Sequence, residues 1–260
     1  MPVPIRSRLL WATALLALLA CGDLQASVAY LGAAAIDGTG SDHSGLAGKL
    51  QDGIFDRNTL NGFTSAIAYT GFGNRYLLLP DRGPNAFPYP GSSAVDDTQD
   101  WENRFQVFDI TATPTSGGDW SVQANLVNTE VLTRSLDGQP YIGLSSAFDD
   151  GGANRRLDPE GIRVGADGSV YVSDEYGPQV LRFDAQGNQT GSFLVPDHLT
   201  IATPNAKAAV ENDLTAVPAS LDPRRVTNRG MEGLTLTPDG SKLVGMMQPA
   251  SPISPISRPC

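Results

Sequence analysis

Apolar and polar positions alternate in short bursts along most of this chain, and long runs with helical periodicity are nearly absent. The bursts are rich in Val, Ile, Leu, Tyr and Phe and are bounded by Gly, Asp, Asn and Pro, the pattern of strands joined by tight turns. The clearest series begins at Asp158. Residues 162–164 read as a strand, 166–169 as a hairpin turn and 170–173 as the returning strand. After a second turn at 174–178, residues 179–184 supply a third strand, 185–188 a third turn and 189–194 a fourth strand. Four short antiparallel strands in succession make one blade of a propeller.

This unit recurs. Glu160-Gly161-Ile162 followed by Asp167-Gly168-Ser169 returns as Glu232-Gly233-Leu234 followed by Asp239-Gly240-Ser241, each position 72 residues further on. A weaker copy lies upstream in residues 66–69, the turn at Gly73-Asn74, residues 76–79 and a third strand at 104–109, with Asp81-Arg82-Gly83-Pro84 standing where the second unit has 174–178. Three copies of one supersecondary unit predict an all-β, propeller-like array of four-stranded antiparallel blades over residues 27–248. The copies are spaced more widely than the roughly 40–50 residues of regular blades. Insertions are therefore expected at 85–102 and at 196–227, the second holding a short helix near 205–212. Residues 249–260 carry four prolines, which supply no ladder donors. The third unit is thus read with two strands, a Pro/Ser-rich tail after it, and the array as truncated at its C-terminus.

Composition changes the picture at the N-terminus. Arg6 and Arg8 precede an apolar run at 9–20 that is too short to span a membrane, so residues 1–26 read as a secretory signal cleaved after Ala26. The alternative is cleavage before Cys21 with a lipid anchor on that cysteine. The expected location is periplasmic or secreted, with a lipoprotein as the second choice. A chain starting at Ser27 keeps only Cys260 and forms no internal disulfide. Loss of Arg6, Arg8 and Asp23 leaves 16 basic against 27 acidic residues, a formal charge of −11. Such a surface repels nucleic acid and anionic membranes and leaves a small molecule as the expected partner.

Strand reversal sorts the acids. Glu160 and Glu232, ahead of first strands, share an end with Asp158 and with Asp81, Asp174 and Glu175, which lie between second and third strands. Asp167 and Asp239 fall in the opposite hairpins and read as turn residues. Carboxylates converging at one end repel one another unless a cation is present, and an all-oxygen set suits calcium or magnesium rather than zinc. His43 and His198, the only histidines, do not make a His-rich zinc site. Asp81, Asp158, Glu160, Asp174, Glu175 and Glu232 are the candidate ligands of a divalent cation, calcium first. The alternative is that Asp158, Glu160 and Glu232 accept backbone amides and lock neighbouring blades. Arg82 and Arg229 either grip a phosphate or pair with the same acids. Glu160, Glu232, Arg82 and Arg229 are the candidate catalytic residues. Residues 143–147 lack the last glycine of a Gly-x-Ser-x-Gly elbow, and no phosphate-cradling Gly-x-x-x-x-Gly-Lys loop occurs.

Four ordered blocks resemble those of the bacterial phytase-like family described by its esterase-like activity: Asp81-Arg82-Gly83-Pro84, Asp158-Pro159-Glu160-Gly161-Ile162, Ser173-Asp174-Glu175-Tyr176-Gly177-Pro178 and Asn228-Arg229-Gly230-Met231-Glu232-Gly233-Leu234. The resemblance runs from about residue 28 to 248 and implies a β-propeller, in agreement with the meander. It also implies an exported, metal-assisted hydrolase of phosphoric or carboxylic esters, monomeric when complete. A non-catalytic propeller binding a ligand or partner at its acidic face and a calcium-dependent lactonase are the alternatives.

Overall fold

The alternation of side chains is realised as ten antiparallel strands and, among the described residues, no helix. The structure is a computed structural model, describing residues 28–60, 64–85, 98–144, 155–177, 179–193 and 230–248. The expected signal segment, Arg229, the insertion at 196–227, most of the insertion at 85–102 and the tail from residue 249 lie outside the described residues.

One four-stranded sheet comprises β1 (Ala66–Tyr69), β2 (Arg75–Leu79), β3 (Arg104–Pro114) and β4 (Trp120–Val131), each paired with the next. A second comprises β5 (Pro159–Val164), β6 (Val170–Asp174), β7 (Gln179–Phe183) and β8 (Gln189–Phe193) in the same order. The third pairs β9 (Met231–Leu236) with β10 (Leu243–Met247). β5 and β9 start and stop 72 residues apart, as the repeated Glu-Gly pair predicts. β5 also packs against both β1 and β9, so the first strands of successive units lie side by side. This is the arrangement of a propeller-like array of blades.

Apolar faces of neighbouring blades form the core. Leu77, Leu79, Phe105 and Val107 of the first sheet meet Ile162, Val170, Val172, Leu181 and Phe183 of the second, all buried. Val180 continues the contact to Met231 and Leu234 of the third. Burying each large apolar side chain is worth about 1.5–3 kcal/mol, so the blades depend on one another. Gly161 shows how close they come. A Cβ there would lie 2.7 Å from Ser173 Oγ and 2.8 Å from Leu234 Cβ, which accounts for the glycine after Glu160.

Two features were not read from the sequence. β4 pairs along the whole of β3, including the part beyond Asp109, the last β3 residue that pairs with β2. The second feature is an irregular N-terminal segment, closed by bridges between Ser41 and Thr59 and between Lys49 and Asp56. It lies along β4, with His43 N donating to Thr129 Oγ1 at 3.0 Å. Its anchor is Asp42, whose Oδ2 accepts from Arg104 Nη1 at 2.6 Å. Both side chains are fully buried, and the guanidinium lies 4.1 Å from the centre of the Trp101 ring. On the outer strand the segment meets Val127 and Thr129 through His43, and most of β4 stays exposed.

Candidate functional site

Both repeated glutamates leave their ladders at the same point. Pro159 pairs with Asp174 and Gly161 with Ser173, so Glu160 is the unpaired extra residue of a bulge. In the third sheet Gly233 pairs with Met246 and Met231 with Met247, which leaves Glu232 in the same situation. Bulges re-aim side chains. Here they turn both glutamates towards the ends of β2 and β6, where the chain continues into Asp81 and Glu175.

The result is a cluster of acids at one end of the inner strands. One carboxylate oxygen each from Asp158, Glu160 and Glu175 lies within 4.8 Å of the other two. Burial, reinforced by the charges of Glu232, Glu175 and Asp81 and partly offset by a hydrogen bond from Ser65, pushes the Glu160 carboxyl up to about 8. Burial and the Glu232 carboxylate push Glu175 up to about 7, against the opposing Gly230 amide and Arg82. Asp158 is raised well above the usual carboxylate range by burial, with Arg82 acting against it. Burial also raises Asp81, which accepts from Gly83 N at 2.9 Å. At neutral pH this end therefore retains protons that a positive ion would displace.

Arg82 contacts the cluster. Its backbone N donates to Asp158 Oδ1 at 3.1 Å and its Nη1 to Oδ2 at 3.0 Å. Of the two roles open to Arg82, the structure displays the ion pair, with the side chain still 17% exposed. Asp174 differs from its neighbours. It is fully buried, and its two oxygens accept from the N–H groups of Asp158, Tyr176 and Gly177 and from Gln179 Nε2, at 2.9–3.2 Å. Four donors fill a carboxylate's acceptor sites, and Asp174 braces the loop that carries Glu175. The same loop is tied down by Tyr176, whose hydroxyl donates to Gly143 O at 2.7 Å. Gly230, which stands 72 residues after Asp158, donates its N–H to Glu175 Oε1 at 3.3 Å. A Cβ on Gly230 would lie 2.0 Å from the Glu175 carbonyl oxygen, so this approach admits only glycine.

Asp167 and Asp239 lie at the far end, where Val164 pairs with Val170, roughly 16 Å away along β5. Each accepts hydrogen bonds from the N–H and hydroxyl of the serine two residues on, Ser169 and Ser241. Gly168 and Gly240 complete those turns with φ of 80° and 68°. A cavity of about 500 Å³ between the first two blades also lies towards this end, walled by Leu77, Phe105, Val107, Val164 and Val170. It contains none of the clustered acids.

The family model for phytase-like proteins, described as esterase-like activity of phytase, matches residues 58–252. An uncharacterized secreted protein of Arthroderma benhamiae (strain ATCC MYA-4681 / CBS 112371) is 29% identical over 245 residues, an alignment covering 74% of this chain and 45% of that protein. The chain thus spans about half the length of the curated relative it matches. No solved structure matches it.

Proposed function

Because the chain belongs to the phytase-like family, we propose that it is an exported hydrolase of phosphoric or carboxylic esters, working at its acidic end with a divalent cation, calcium first. The observation that carries this reading is the convergence of Asp158, Glu160 and Glu175 within 4.8 Å, with Glu232 hydrogen-bonded to Glu175 beside them. Calcium–oxygen distances of about 2.3–2.6 Å put oxygens on opposite sides of the ion about 4.6–5.2 Å apart, which fits that spacing. The ion would polarise the ester and lower the pKa of an attacking water.

The chain's own residues supply the rest. Asp158, oriented by Arg82, keeps lone pairs for the ion. Glu160 and Glu175 complete the donor set. Glu232, half-buried next to Glu175, is the group to take a proton from water and return it to the leaving alkoxide. The Arg82 guanidinium, partly exposed, is the one to meet an anionic ester oxygen. Arg229, three residues before Glu232 in the sequence, is assigned the same role. The signal-like residues 1–26 and the secreted relative support export.

The test is turnover of a chromogenic phosphoester and a chromogenic carboxyl ester, each with millimolar calcium and with chelator. One of the two is hydrolysed in calcium, and Glu160→Gln lowers that rate on the order of 100-fold. Turnover indifferent to both chelator and Glu160→Gln contradicts the proposal. Calcium binding without turnover points to a non-catalytic binding face, and calcium-dependent turnover of an added lactone but of neither ester to a lactonase.

A further inference from the structure

We infer that Ser65 is a positioning residue of the acidic end, holding the Glu160 carboxylate in place, and that a strained backbone at Thr64 aims it there. This deepens the reading above and rests on it.

The three inner strands can be aligned by their pairing. Ala66 pairs with Leu79, Gly161 with Ser173 and Gly233 with Met246, each three residues before the far end of its hairpin at Tyr69, Val164 or Leu236. The residues just ahead are Ser65, Glu160 and Glu232. Two places beyond the partner strand's residue come Asp81, Glu175 and Gln248. The backbone follows the same plan, with Glu175 N donating to Asp158 O at 2.8 Å and Gln248 N to Gly230 O at 2.9 Å. Of these six equivalent positions four are carboxylates, one is glutamine and one is serine. β1 packs beside β5, and the Ser65 hydroxyl hydrogen-bonds Glu160. A third glutamate at this position would add like charge. Serine brings a donor instead, in the manner of the groups that orient metal-ligating carboxylates.

Ser65 is exposed, so its hydroxyl is not filling the core. The residue before it is unusual. Thr64 has φ of 126° and is the only non-glycine with positive φ among the described residues. For a β-branched residue this is an outlier that costs roughly 1–3 kcal/mol, and such strain gathers at functional sites. Its Oγ1 is also buried without a hydrogen-bond partner. The equivalent positions in the other two units are Pro159 and Met231, which begin the bulges that turn Glu160 and Glu232. The first unit has no such bulge, and the Thr64 backbone does the same work of turning residue 65.

Calorimetric titration with calcium, paired with thermal unfolding, tests this without any substrate. Ser65→Ala should bind calcium about 10-fold more weakly at unchanged melting temperature, and Ser65→Thr, which keeps the hydroxyl, should bind as the wild type does. Thr64→Gly should keep the calcium affinity without lowering the melting temperature, since glycine accepts this φ at no steric cost, whereas Thr64→Pro, whose φ is fixed near −65°, should weaken binding. Wild-type affinity in Ser65→Ala or in Thr64→Pro overturns the inference and leaves the cation site standing. A wild-type protein that binds no calcium overturns both.

Discussion

In calcium-free buffer the melting temperature should fall as the pH is raised from about 5 to about 8. The unfolded chain releases the protons of Glu160 and Glu175 near their ordinary value of 4.5, whereas the folded protein keeps them until about 8 and about 7. Between those limits the native state binds more protons than the unfolded state, so stability declines with pH. Below the window both states are protonated, and above it neither is. The turn residues act elsewhere. Asp239 is held at about 2 by its hydrogen bonds to Thr237 and Ser241, and its contribution is lost only as pH falls below the ordinary carboxylate value. Calcium should cancel the decline, because it takes the place of the protons. At 100 times the dissociation constant it adds about 2.7 kcal/mol, or roughly 5–10 °C for a chain of this size. A melting temperature flat over pH 5–8 in chelator would mean that the acids are compensated within the protein.

Replacing Asp42 with alanine should destabilise the protein by about 3–5 kcal/mol in urea unfolding. Arg104 would then keep its guanidinium buried against Trp101 with its closest counter-charge gone. Glu102 Oε2, 3.7 Å from Nη2, is beyond hydrogen-bonding distance. Replacing the pair by apolar residues, as in Asp42→Leu with Arg104→Met, should recover most of the loss, because the cost lies in the orphaned charge. A loss below about 1 kcal/mol for Asp42→Ala would show that the buried Arg104 charge is compensated without Asp42.

The repeat was legible because its signals are local. Glu160 and Glu232 precede a glycine and a turn at one fixed offset, and strand reversal alone separates them from Asp167 and Asp239. β4 was not read although Ser121, Gln123 and Asn125 alternate with the half-buried Val122, Ala124 and Leu126, because its pairing partner is the far part of β3, where no turn residue marks a repeat of the unit. The N-terminal segment has no period at all, and what holds it are contacts far apart in sequence, the buried Asp42–Arg104 pair and the pairs of Arg57 with Asp100 and Glu102 among them. The sequence also gives no sign of how a carboxylate's oxygens are occupied, and Asp174 accepts three backbone N–H groups and Gln179 Nε2 while its neighbour Glu175 reaches the cluster with Asp158 and Glu160. Ser65 was missed for a related reason. Its importance lies in occupying a glutamate's place, and that equivalence is visible only once the strand register is known.

The central claim is that the converging carboxylates form a cation site, and the most direct measurement is calorimetric titration of calcium at pH 7 into the wild type and Glu160→Gln, repeated in buffers of different ionisation heat. One site is expected in the wild type, binding with release of protons from the cluster, and its loss in the variant. Absence of binding, or binding that releases no proton and survives Glu160→Gln, would contradict it.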